Sequence, residues 1–272
     1  MQFGTYYVEP IMALPRLQLI EFNDQDWAPA FVRDTLVEAL SHTLEWGRMM
    51  QNLVPVFERF LHATGAHEVL DLGSGAGGPA KIFAREIQRA GRTPPCFILT
   101  DLHPRITTWE SLRSQLPGVV NFESSSVDAT NVPLALSSGR VRTIINAFHH
   151  MPPPLAKAIL EDAVRGGQGI FISEPFERNP LQFFNMAPVG FLALLSTPLL
   201  TRTDAIAKAL YAWTTPLAMA LSTWDGLVSA MRMYSEQDLR AMVAPFGSRW
   251  QWEYGRYAYP PFGHGYYFSG IP

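Results

Sequence analysis

Between residues 66 and 175 the chain alternates short apolar runs with stretches whose apolar residues recur every three or four positions, the pattern of strands and helices taken in turn. Runs near 67–72, 96–101, 119–124, 142–147 and 169–173 predict strands, and they are apolar enough for a parallel sheet covered on both faces. The stretches 79–90, 107–116 and 153–165 predict the intervening helices, so this region reads as a doubly wound α/β unit. Upstream, Phe31, Leu36, Leu40 and Leu44 lie at helical spacing before Gly47, and a second helix fits 52–63, with Leu53, Val56, Phe57, Phe60 and Leu61 on one face. Residues 1–30, with Tyr6, Tyr7 and the cluster from Phe22 to Trp27, read as an ordered arm and a turn.

After Arg178 the pattern changes. No charged residue occurs from Asn179 to Thr201 or from Ala209 to Trp224, and a short polar link from Arg202 to Lys208 joins the two stretches. Three readings compete. A transmembrane hairpin needs about 20 apolar residues per span; the second stretch is too short, and Pro188, Pro198 and Pro216 interrupt both. A monotopic hairpin could dip into one leaflet, with Tyr211, Trp213 and Trp224 as interfacial anchors. The favoured reading is a helical lid whose apolar inner face lines a pocket. All three imply an apolar substrate. Further on, Ser235 caps a helix to Val243 with Asp238 three residues in, and two strands close the chain around 249–257 and 265–270.

Composition changes this picture little. Of 272 residues 47% are hydrophobic and 17% charged, with the apolar excess concentrated in the segment just described. A net charge of −3 gives no footprint for nucleic acid. The single cysteine, Cys96, excludes an internal disulfide and fits a reducing compartment. The seven histidines show no His-Glu-x-x-His spacing, so no metal is expected, and no basic region followed by an apolar core suggests a signal peptide. The expected location is the cytoplasm, with peripheral membrane contact through 179–224 as the variant that the monotopic reading adds. The oligomeric state leaves no trace in the pattern.

The chemistry gathers on Val69 to Pro79, a buried strand, a glycine turn and a helix start. Glycines at 73, 75, 77 and 78 permit positive φ and let a ligand approach the main chain with no Cβ in the way, while Pro79 suits the first turn of a helix. The spacing Gly73-x-Gly75-x-x-Gly78 also matches the dinucleotide fingerprint. Asp71, two residues before the first glycine, would repel a pyrophosphate and could receive a cationic ligand. S-adenosylmethionine (SAM) is such a ligand, with an ammonium, a sulfonium and no phosphate.

From Asp71 to Gly77 these residues resemble the first motif of class I SAM-dependent methyltransferases, an acidic residue, any residue, then Gly-x-Gly-x-Gly. The resemblance covers residues 66 to 178, with the subfamily unidentified. Phe97 to Asp101 is similar to the second strand, whose terminal acid binds the ribose. Ser126 to Ala129 is similar to the segment whose acid meets the adenine amino group, and Ile144 to Met151 to the fourth strand and its active-site loop. The resemblance implies a Rossmann-like, seven-stranded, mostly parallel sheet with a C-terminal antiparallel hairpin and N-terminal helices; the apolar segment is an insertion relative to the family's minimal plan. Together these divide the chain into an arm and cap (1–65), a SAM-binding core (66–178), the lid or membrane-facing insertion (179–232), and the last helix and closing hairpin (233–272). Cofactor contacts carry over to Asp71, Gly73, Gly75, Gly77, Asp101, Leu102, Asp128, Ala129 and Asn146.

His149 and His150 stand where such an enzyme holds its acceptor, and a histidine can serve as base near neutrality. Adjacent histidines on a loop point in different directions, so at most one of the two is expected to reach the acceptor, with His149 the preferred base if one is needed; either could instead bond a carbonyl and brace the loop. Glu174, after the fifth strand, could contact substrate or pair with Arg178. The expected activity is SAM-dependent methylation, on O, N or C, of a small apolar acceptor in secondary or lipid/quinone metabolism. The rivals are an NAD(P)-type oxidoreductase using the same turn and a non-catalytic SAM-binding protein associated with a membrane.

Overall fold

A computed structural model describes residues 14–25, 27–201 and 203–272. Tyr6, Tyr7 and Arg202 lie outside these residues. Two helices open the described chain, α1 (Ala30–Trp46) and α2 (Val54–Thr64). The alternating unit follows as β1 (Glu68–Leu72), α3 (Gly78–Arg89), β2 (Cys96–Thr100), α4 (Ile106–Gln115), β3 (Val120–Phe122), α5 (Leu134–Ser137), β4 (Val141–Ile145), α6 (Pro153–Gly166) and β5 (Ile170–Glu174). The chain continues through α7 (Phe183–Leu200), α8 (Ala205–Thr214), α9 (Leu217–Arg232) and α10 (Glu236–Val243) and ends in β6 (Gln251–Tyr259) and β7 (Gly263–Ile271).

The seven strands form one sheet in the order β3-β2-β1-β4-β5-β7-β6. Strands β1 to β5 run parallel, and β7 lies antiparallel to both β5 and β6. The predicted strands and helices are present within a residue or two, and the short α5 is an addition that no periodicity announces. Strand order reverses between β1 and β4, which opens a crevice beyond their carboxyl ends. Under the sheet, Phe57 of α2, Phe83 of α3, Phe97 of β2 and Phe171 of β5 are fully buried, with the Phe57 and Phe83 rings 4.3 Å apart. Each such side chain contributes roughly 1.5–3 kcal/mol by leaving water, which makes the floor beneath the glycine turn rigid.

The prolines expected to interrupt the first apolar stretch do not: α7 runs unbroken through Pro188 and Pro198. Each proline removes one intrahelical amide. Burial of Met186, Ala187, Ala193, Leu194 and Thr197 outweighs that loss. Pro216 does fall at the break between α8 and α9. Val32, Leu36 and Ala39 of α1 form a second apolar cluster with Leu194, Tyr211, Ala212 and Ala218, which makes α1 and α7 to α9 one helical layer. The layer is locked by Lys208, fully buried, whose Nζ donates to both Glu38 oxygens at 2.9 and 3.0 Å and to Thr201 Oγ1 at 2.7 Å. At the start of α10 both hydrogen bonds of the Ser235–Asp238 capping box are present.

Candidate active site

The glycine turn is held from every side. Ser74 N donates to Thr100 O at 3.0 Å, Thr100 Oγ1 to Asp71 O at 2.8 Å, and Trp109 Nε1 to Gly75 O at 2.9 Å. Gly73, Gly75 and Gly77 all have positive φ, at 66°, 52° and 77°. A Cβ on Gly75 would meet nothing within 4 Å, whereas one on Gly77 would lie 2.8 Å from Leu112 Cδ2. Thus Gly75 keeps an open approach for a ligand, and Gly77 is glycine because α4 packs against it.

Two of the three predicted aspartates border this turn. Asp101 accepts the amide of Gly75 on Oδ2 at 2.9 Å and that of His103 on Oδ1 at 2.9 Å, which aims its carboxylate across the floor of the turn. Asp71 is buried, and its Oδ1 accepts the Thr143 hydroxyl at 2.6 Å. Burial, against the hydrogen bond from Thr143 and helped by the charge of Asp101, pushes its carboxyl up to about 6. Asp128 is exposed and accepts the Thr130 amide and hydroxyl at 2.8 and 2.7 Å, closing its own turn. Leu102 is exposed and Ala129 half-buried beside it in the chain order of that rim.

At the end of β4, Asn146 adopts a φ of 58°, a left-handed conformation that a non-glycine residue takes at some strain. Its amide donates to Ser173 O at 2.8 Å, while its side-chain Nδ2 is buried without a hydrogen-bond partner. The short turn Phe148–His150 follows. Here two expectations are corrected. Glu174 does not pair with Arg178, which bonds Asp238 instead, and both its carboxylate oxygens are taken by His149. It is fully buried, and it accepts the His149 amide on Oε1 at 2.9 Å and His149 Nδ1 on Oε2 at 2.8 Å. With Nδ1 donating to a carboxylate, the neutral ring carries its lone pair on Nε2, and that atom is buried with no partner.

The histidine rings do not diverge either. They lie 4.1 Å apart in the same pocket, because the tight turn stacks successive side chains on one side. Their surroundings differ. His150 Nδ1 meets Asp24 at 2.9 Å and Glu21 at 3.6 Å. Burial disfavours its charge, but these carboxylates outweigh burial and push the imidazole up to about 9, so His150 is a cation at neutral pH. Arg232, also buried, bonds Glu21 at 3.0 Å and Asp24 at 2.6 Å. Glu21, His149 and His150 bring potential metal-ligand atoms within 4.8 Å of one another. Arg232 and His150 meet the same two carboxylates, Glu21 and Asp24, which makes a salt-bridged cluster. Asp225 completes it by accepting the amides of Phe22 and Asn23 at 2.8 and 3.0 Å, and burial pushes its carboxyl up to about 6. Glu21, Asp24, Asp225 and Arg232 carry no motif, and the acidic run near Phe22 was their nearest signal.

A cleft of about 880 Å³, open mouth included, joins these groups. Asn146, His149, His150, Glu21 and Asp225 are among its polar lining, and Leu36, Leu40, Phe183, Met186 and Phe191 among its apolar lining. Asn146, in its lining, is followed by Ala147, whose Cβ would lie 3.6 Å from a Cβ on Gly73. Residues of α7 and α9 from the insertion thus contribute to the lining of this cleft.

Strand order, the antiparallel β7 and the pinned turn are those of the Rossmann-like class I methyltransferase fold. No protein-family model and no curated protein matches the chain. Among solved structures, magnesium protoporphyrin IX methyltransferase from Synechocystis PCC 6803, with bound SAM, is 12% identical over 92% of this chain and 87% of that one, with a TM-score of 0.46. A Nostoc punctiforme chain put forward as an O-methyltransferase is 12% identical over 90% and 61%, at 0.49. The methyltransferase domain of a bacterial CtHen1 is 12% identical over 82% and 100%, at 0.47. Likeness at this level concerns the course of the backbone.

Proposed function

We propose that the protein transfers a methyl group from SAM to a hydroxyl of a small, largely apolar acceptor. One observation carries the reading: His149 Nε2 and Asn146 Nδ2, a base and a donor, are both buried without partners among the described residues, and both residues line one pocket. A hydroxyl satisfies both at once, giving its proton to Nε2 and accepting from Nδ2. Neither an aliphatic carbon nor a protonated amine meets both demands.

The residues at the turn fit the cofactor: Gly75 leaves room for it, Asp101 is aimed for ribose hydroxyls, and the buried Asp71 would receive the methionine ammonium. Leu102, Asp128 and Ala129 stand where the resemblance implies adenine contacts. SAM supplies an electrophilic methyl on a cationic sulfur, which departs as a neutral thioether. His149 removes the acceptor proton, Glu174 holds the ring in the tautomer that can do so, and Asn146 fixes the oxygen in line. The apolar walls exclude competing water.

Calorimetric titration with SAM tests the cofactor half. Asp101→Ala should weaken binding about 10- to 100-fold, the worth of a hydrogen bond to a charged group. Turnover over a panel of apolar phenols tests the rest, where His149→Ala should lose roughly 10²–10⁴-fold in rate with SAM affinity retained. Preference for NAD over SAM, or SAM binding without turnover of any phenol, would overturn the proposal in favour of an oxidoreductase or of a binding protein.

A further inference from the structure

Among the described residues, α7 is the core of the one helical segment long and apolar enough to cross a membrane, Pro180–Leu200, yet only 33% of its apolar window is buried. Its inner face packs on α1 and lines the pocket, so it cannot stand alone across a bilayer. Its outer face is a continuous exposed stripe, Phe184, Pro188, Leu192, Leu195 and Leu199, spaced three or four residues apart. A second exposed stripe, Ile206, Leu210, Trp213 and Leu217, runs along α8 to the start of α9. The two are joined, because Trp213 Nε1 donates to Leu195 O at 2.9 Å. Leu199 is 74% exposed and Ile206 80%.

The geometry points to a lipid bilayer as the partner of this surface, with α7 and α8 lying in the plane of one leaflet and their stripes in its acyl boundary. A protein partner ordinarily forms about one hydrogen bond per 100–200 Å² of interface, and these nine side chains offer none, since the indole N–H already has its acceptor. Acyl chains ask for none. Residues 179–224 carry three charges, Arg202, Asp204 and Lys208; Lys208 is buried on Glu38, and the formal charges of the other two cancel. Attraction to anionic headgroups is therefore not what holds the surface down, and attachment should be apolar and insensitive to salt. Opposite faces of α7 touch the leaflet and the pocket, so an apolar acceptor dissolved in the membrane reaches the site along one helix; this last step rests on the proposed methyl transfer, while docking does not.

Flotation of the full chain with vesicles of pure phosphatidylcholine tests the docking. We expect the protein to float with them, as much in about 0.5 M salt as in dilute buffer, because screening within a few ångströms leaves apolar contact intact. Leu199→Glu combined with Ile206→Glu should cut partition at least about tenfold, each substitution withdrawing an apolar side chain from hydrocarbon. SAM titration and the thermal melt of that variant should match wild type, since both positions face solvent. Wild type left unbound by neutral vesicles, capture by anionic vesicles alone with release by salt, or a dimer that the double variant dissolves would each overturn the inference. Failure of the methyltransferase reading would appear in the SAM titration and leave flotation unchanged.

Discussion

Both carboxylate oxygens of Glu174 are engaged by His149, so its contribution to turnover runs through the ring it holds. Glu174→Gln keeps the shape but offers an amide that can donate to Nδ1 and turn the lone pair away from the pocket. We expect a rate loss of about 10²–10⁴ with the acceptor's KM and the SAM affinity little changed; a uniform loss in all three would mean a collapsed site instead. Asp71 makes a pH prediction. Its carboxyl is pushed up to about 6, and the SAM ammonium prefers the charged form. Affinity should therefore rise by up to about tenfold per unit as pH increases toward 6 and level off above it, and Asp71→Asn should flatten the slope in calorimetry. At this scale the glycine turn was legible: Gly73, Gly75 and Gly77 take the positive φ that their spacing suggested. The partners of Asp71 and His149 were not, because Thr143 and Glu174 reach them across strands that the chain connects only at a distance.

At the scale of elements, the turn between β1 and α3 can be tested against an ordinary one. Gly77→Ala meets both a left-handed backbone and a Cβ 2.8 Å from Leu112 and 3.0 Å from Leu99. It should cost about 2–4 kcal/mol in denaturant unfolding, the sum of strain and overpacking. Gly91→Ala, at a φ of 73° with nothing within 4 Å, should cost about 1 kcal/mol. Equal losses would show that packing of α4 on the turn is irrelevant. Periodicity located the strands of the core and the helices α1, α2, α3, α4, α6 and α10, since alternation and helical spacing are local. It misjudged α7: burial of one face against α1 keeps the helix through two prolines, and that face is a tertiary fact.

Over the whole molecule, Glu21 and Asp24 bring the N-terminal segment onto His150 and onto Arg232 at the end of α9, tying three distant parts of the chain together. Because the His150 imidazole is pushed up to about 9, its paired charge stabilises the fold fully below its ordinary value near 6.5 and is lost as pH rises through 9. Thermal melting should drop between about pH 7 and 10, by an amount on the order of 2 kcal/mol, and His150→Gln should remove most of that dependence. A melting temperature level over this range in wild type would show that the cluster does not hold the segment.

The sequence by itself determined the sheet, the glycine turn and the acids around it, because these follow from short-range rules: period two or 3.6, positive φ at glycine, and an acid at the carboxyl end of a strand. The tertiary structure decided the pocket. It turned both histidines into it, assigned Glu174 to His149, brought Glu21 and Asp24 onto Arg232 across more than half the chain, and gave α7 an inner face for the pocket and an exposed apolar outer face. Those outcomes depend on which surfaces meet when distant segments pack, and no local pattern of residues encodes that meeting.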